Sequence, residues 1–172
     1  MKKIILAVAA ILAANGVPAH ASWEYKLLED PMTDAKRGIS SVTAEQGMIV
    51  IKCDSNGPGS LYLSIISKGY LGGTSRNRVR EMKYRIDKGD PQSIYASHDA
   101  RTASIFDVKP RSKGGDFLGQ LLNARELVVQ VSSYDYDTYT IIFDVSGARG
   151  AIEKSASACR DTNWMPSGAP ES

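Results

Sequence analysis

Apolar residues recur at every second position through much of this chain, a period that fits half-buried β-strands and excludes a mainly helical fold. Residues 48–53 set Ile49, Ile51 and Cys53 on one face, and residues 61–66 do the same with Leu61, Leu63 and Ile65. Asn56-Gly57-Pro58-Gly59 lies between them and breaks any strand, so the two runs read as a hairpin. Residues 23–28 align Trp23, Tyr25 and Leu27; residues 79–87 align Met82, Tyr84 and Ile86; residues 138–145 align Tyr139, Ile141, Phe143 and Val145. Residues 39–44, 94–97, 102–106 and 127–133 read as further strands. Asp30-Pro31 and Lys88-Gly89-Asp90-Pro91 end their strands as turns.

Two segments follow the helical period. Asp116 precedes Phe117, Leu118, Leu121 and Leu122 and is placed to cap a two-turn helix through residue 123. Near the C-terminus, Ala148, Ala151, Ile152, Ser155, Ala156 and Cys159 form one stripe, with Ser146 placed as the cap. Small side chains on a stripe let a helix lie close to a sheet. The expected fold class is α+β: a mostly antiparallel sheet, curled or split into a β-sandwich, with a short helix and a C-terminal helix packed on the sheet. Residues 22–159 read as a single domain, and residues 160–172, with Pro166, Gly168 and Pro170, as a flexible tail.

The first 21 residues have the grammar of an export signal. Lys2 and Lys3 supply a positive start, residues 4–14 an apolar run, and Ala19-His20-Ala21 a small-x-small cleavage site before Ser22. The run is shorter than the roughly 20 residues that hold a span in a bilayer, so no stable membrane anchor is expected after cleavage. The expected location is the periplasm or the exterior. Removing the signal also removes the whole net charge of +2, because it carries Lys2 and Lys3 and no acid. A neutral mature chain has no global attraction to nucleic acid or anionic lipid.

Export decides how the cysteines are read. Cys53 and Cys159 are the only two, and in an oxidising compartment they are expected to form one disulfide. Two cysteines and two histidines, one of them in the signal, give no zinc set, so no metal and no cofactor are expected.

Arg76, Arg78, Arg80, Lys83 and Arg85 form the densest cationic run. On a strand, the first three share one face and the last two the other, with Glu81 and Asp87 beside them. The run reads either as a site for an anionic partner or as a solvated edge strand whose charges prevent edge-to-edge pairing. Tyr134, Tyr136 and Tyr139 around the Asp135 and Asp137 turn read either as an aromatic contact surface or as an ordinary sheet end. Ser97, His98 and Asp99 could be forced into a hydrolase reading, but consecutive residues seldom converge as a triad, and no G-x-S-x-G elbow exists. Asp135 and Asp137 lack the glycine and glutamate of a calcium loop, and Gly72-Gly73 lacks the lysine of a phosphate loop. No catalytic residues are expected.

One ordered set of residues resembles a known family. Cys53 on a strand is followed by Tyr84-Arg85-Ile86-Asp87, then Ser97 and Asp99. Phe143-Asp144-Val145-Ser146-Gly147 then leads into a small-residue helix ending at Cys159. The order is similar to the C-terminal domain of the type VI secretion-associated TagO-like (VasI-like) exported proteins, over about residues 48–159. It also looks like other small exported proteins of bacteria and their phages. The cysteine-containing segment that precedes the domain in that family has no counterpart before Cys53. The resemblance implies an exported accessory role in the bacterial envelope with no catalytic residues to carry over.

The expectation is thus a periplasmic, non-enzymatic binding or accessory protein whose partner is another envelope or secreted protein. The alternative is an inhibitor or immunity protein against a cell-wall hydrolase or toxin, acting through rigid loops such as 69–75 or 109–115.

Overall fold

Among the described residues alternation becomes nine strands, eight of which bury an apolar face. In the computed structural model these are β1 (Glu24–Glu29), β2 (Lys36–Ala44), β3 (Gly47–Asp54), β4 (Leu61–Ser67), β5 (Val79–Ile86), β6 (Gln92–Asp99), β7 (Thr102–Ile105), β8 (Glu126–Ser132) and β9 (Thr138–Asp144), with helices α1 (Phe117–Leu121) and α2 (Ala148–Cys159). The structure describes residues 22–55, 61–72, 78–106, 108, 116–133, 135 and 137–160. Residues 1–21, where the export signal is expected, residues 56–59, Arg76, residues 109–115, Tyr134, Tyr136 and residues 161–172 lie outside the described residues.

All nine strands belong to one antiparallel sheet of order β1-β2-β3-β4-β7-β6-β5-β8-β9. The first four follow one another as a meander. The chain then passes over two strand positions to lay down β5, and β6 and β7 step back toward β4. The far side of β5 receives β8 in the register Lys83↔Gln130 to Ile86↔Leu127. The sheet is curled but not closed, with β1 and β9 as its edges.

The inner face of the curl is the core. Ile49, Ile51, Leu63, Ile65, Met82, Leu127, Val129 and Phe143 are buried there. Burying each such side chain contributes on the order of 1.5–3 kcal/mol. Tyr84 meets Phe117 edge to face with ring centroids 4.7 Å apart, which fixes α1 against β5.

The C-terminal helix packs on the inner side of β2 and β3 and reaches β1. Close approach needs small residues on both surfaces. Gly38 and Ser40 of β2 face Ala151 and Ser155 of α2, as the small-residue stripe predicts. The Ser40 hydroxyl donates to the Ala151 carbonyl at 2.9 Å, and the Ser155 hydroxyl donates to Ser40 at 2.9 Å. These bonds satisfy two buried hydroxyls in an otherwise apolar interface. The Cys53–Cys159 disulfide then joins the end of α2 to β3, with a Cα–Cα distance of 5.7 Å, inside the range such a bond spans.

Several local expectations shift. Ser146 does not cap α2. Gly147 takes that place with φ 84°, a left-handed conformation that glycine adopts without a side-chain clash. Ser146 is held otherwise: its N–H donates to Asp144 at 2.9 Å, and its carbonyl accepts the Trp23 indole N–H at 3.1 Å. Asp116 does cap α1, accepting from the Gly119 N–H at 3.1 Å. That helix ends at Leu121 rather than residue 123, because Leu122 and Ala124 turn back to the Gly119 and Leu121 carbonyls in tighter three-residue turns. Strands β2 and β6 are longer than alternation alone predicts, since each has a partner strand on both sides.

Candidate functional site

The basic run divides between the two faces of β5. Met82 and Tyr84 point into the core, so Arg80, two residues earlier, also points inward, while Lys83 and Arg85 point out. Arg78 precedes the strand, is exposed, and lends its carbonyl to the His98 N–H at 2.6 Å. Arg76 lies outside the described residues. The five cations therefore do not make one patch.

Arg80 is a tie rather than a free charge. Its guanidinium donates to the Ser133 carbonyl at 3.1 Å and to the Leu71 carbonyl. Leu71 follows β4, and Ser133 opens the β8–β9 turn, where its hydroxyl accepts the N–H groups of Asp135 and Asp137. One side chain thus holds two distant connections together.

Beside it on the inner face is His98. Arg80 is opposite Ala96, and His98 lies two residues beyond Ala96, which makes Arg80 and His98 diagonal neighbours across β5 and β6. His98 is fully buried. Its Nδ1 is 3.0 Å from the Ala96 carbonyl, and a carbonyl only accepts, so Nδ1 carries the proton. The neutral ring then presents Nε2 as an acceptor. Both His98 Nε2 and Arg80 Nε are buried without a hydrogen-bond partner.

Burial, and then the charge of Arg80, push the His98 pKa below its ordinary 6.5. The unfolded chain therefore binds a proton more readily than the folded one. Stability is unaffected well above pH 6.5 and falls as the pH drops through 6.5 toward the lowered folded value. We expect urea midpoints of wild-type protein to decline faster between pH 7 and 5 than those of His98→Gln, with a limiting slope of about 1.4 kcal/mol per pH unit. Parallel declines would remove His98 from the acid response. The Ser97–His98–Asp99 run does not converge, because His98 turns inward while its two neighbours lie on the opposite face of β6.

Of the three tyrosines, Tyr139 is described, and it packs inward against the core. Its ring lies over Gly69, where a built Cβ would sit 2.6 Å from the ring carbon Cζ. Tyr134 and Tyr136 lie outside the described residues.

The outer face of β5 is different in kind. Lys83 and Arg85 are exposed, and among the described residues the one ion pair is Arg37–Asp54, far from them in the sheet order. The registers place Lys83 beside Gln130 and Thr140, and Arg85 beside Val128 and Ile142. Lys83, Tyr84, Arg85, Pro91, Val128, Gln130 and Thr140 line an open groove of about 390 Å³. The strand spacing of about 4.8 Å fixes where each group stands, so the groove offers two cations, an amide and a hydroxyl over an apolar floor. Gln130 and Thr140 escaped the sequence reading because only the β5–β8–β9 pairing places them here.

Among the described residues no helix is long and apolar enough to cross a membrane, and no group of three or more His, Cys, Asp or Glu side chains could hold a metal ion. The sequence matches no protein-family model, no curated protein and no solved structure.

Proposed function

We propose that this is an exported, non-enzymatic binding or accessory protein of the bacterial envelope, which takes an anionic partner on the outer face of β5, β8 and β9. The observation that carries the reading is the pair of exposed cations, Lys83 and Arg85, which have no ion-pair partner among the described residues and lie beside Gln130 and Thr140 in an open groove. Carboxylate or phosphate groups suit such a site, since charge-assisted hydrogen bonds are stronger than neutral ones. A predominantly apolar inner face and a long-range disulfide support a role played at the surface. The export segment and the resemblance to TagO-like proteins support an envelope setting, including association with type VI secretion.

The test is capture from a bacterial envelope extract by wild-type protein and by Lys83→Glu/Arg85→Glu protein. Wild-type protein is expected to retain a partner that the double variant loses. Retention should also weaken as salt rises, because exposed charges are screened over about 8–10 Å at 0.10–0.15 M. No capture, or capture indifferent to both changes, overturns the reading.

A further inference from the structure

Strand β1 pairs with β2 on one side and forms an edge of an unclosed sheet. All six of its residues are exposed. Tyr25 is 38%, Leu27 50% and Leu28 48% exposed, and Met32, just beyond the strand, 88%. Four of the nine large exposed apolar side chains described thus gather at this one edge. An edge of this kind is a template for another strand.

The sequence of the edge selects the occupant. Directly opposed residues of an antiparallel pair lie on the same face of the sheet. Two copies of β1 joined by a twofold axis within one continuous sheet must therefore centre on a residue. Centred on Glu24 or on Lys26, like charges meet. Centred on Leu27, Lys26 meets Leu28 and Tyr25 meets Glu29. Centred on Tyr25, Glu24 of each copy meets Lys26 of the other, Trp23 meets Leu27, and Tyr25 meets Tyr25. Of these registers, the Tyr25-centred one alone sets unlike charges opposite each other, and it also sets apolar residues opposite apolar ones. The two sets separate by face: Trp23, Tyr25 and Leu27 share the face of Ser40 and Gly38, and Glu24 and Lys26 occupy the other. Trp23 is already held by its bond to the Ser146 carbonyl, so it loses little freedom on pairing.

We propose that two copies of this chain associate through β1 in the Tyr25-centred register, joining two curled sheets into one. The inference does not depend on the groove of Lys83 and Arg85, which belongs to other strands.

Sedimentation velocity on the chain from Ser22 onward tests it. Wild-type protein is expected to dimerise reversibly at micromolar concentration. Glu24→Lys alone and Lys26→Glu alone each replace two unlike pairs by two like ones, and each should weaken the dimer at least about fivefold. The double variant Glu24→Lys/Lys26→Glu restores unlike pairs and should return to near the wild-type dissociation constant. These positions are exposed, so circular dichroism and thermal midpoints should be unchanged and will separate misfolding from lost association. A wild-type monomer at high micromolar concentration overturns the proposal. So do a dimer indifferent to the single reversals and a double variant no stronger than either single one.

Discussion

Removing the Cys53–Cys159 bond is expected to cost about 4–5 kcal/mol of unfolding free energy, the entropy of a closed loop of about 107 residues in the unfolded chain. Urea unfolding of oxidised protein, and of the Cys53→Ala/Cys159→Ala variant, measures it. With a slope of about 1–3 kcal/mol per molar urea, the midpoint should fall by roughly 1.5 M or more. The bond closes a sequence separation of 106 residues, so its effect on the unfolded chain is near the upper end for disulfides. It also holds the last turn of α2 on β3. Local loosening should therefore appear first at α2, as faster amide exchange there than in the β3–β4 hairpin. A midpoint unmoved by the double substitution would mean that helix packing alone sets the stability of this end.

The second large effect is expected at Gly38. A Cβ added there would stand 2.7 Å from the Ala158 Cβ, 2.7 Å from the Ser155 carbonyl oxygen and 3.0 Å from the Ser155 Cα. None of these atoms is the end of a flexible side chain. For Gly38→Ala the helix must move, and that movement stretches the buried Ser40–Ala151 and Ser155–Ser40 bonds. The expected cost is about 1–3 kcal/mol for overpacking, with Gly38→Val worse. Gly150 supplies the control in the facing helix. It is exposed, and an added Cβ there meets nothing within 4 Å. Gly150→Ala should stabilise by about 0.5–1 kcal/mol through helix propensity. Equal and small effects at both positions would contradict the close approach of α2 to β2.

Much of the strand inventory was legible because burial follows parity. Ile49, Ile51 and Cys53 share the inner face of β3, as their spacing predicts. Parity likewise put Arg80 on the face opposite Lys83 and Arg85, as the structure has it. What it did not foretell was that this face is the interior, where a guanidinium must find carbonyls. Its acceptors, Leu71 and Ser133, come from connections that only the finished fold brings near. The stripe of α2 was legible for a related reason, since small residues at helical spacing have few uses other than close packing.

Sheet order was not legible. A period of two states which face is apolar and says nothing about which edge meets which. The placement of β5 beyond β7 and β6 depends on partners up to 47 positions away, such as Lys83 and Gln130. Both halves of the candidate groove depend on that placement. Lys83 and Arg85 stood out as charges, whereas Gln130 and Thr140 carry no signal until their strands are neighbours.

The position of the cross-link within the chain sets the order in which the molecule can be finished. A ribosome delivers Cys53 with the first meander and Cys159 with the last helical turn. While every strand from β4 to β9 is made, Cys53 has no second cysteine within its own chain. The packing of α2 beside Gly38 and Ser40 holds it within reach of Cys159. The bond therefore acts as a late seal, absent while the earlier strands are synthesised. With two cysteines in all, that seal also admits a single intramolecular arrangement, so oxidation can be delayed without risk of internal mispairing.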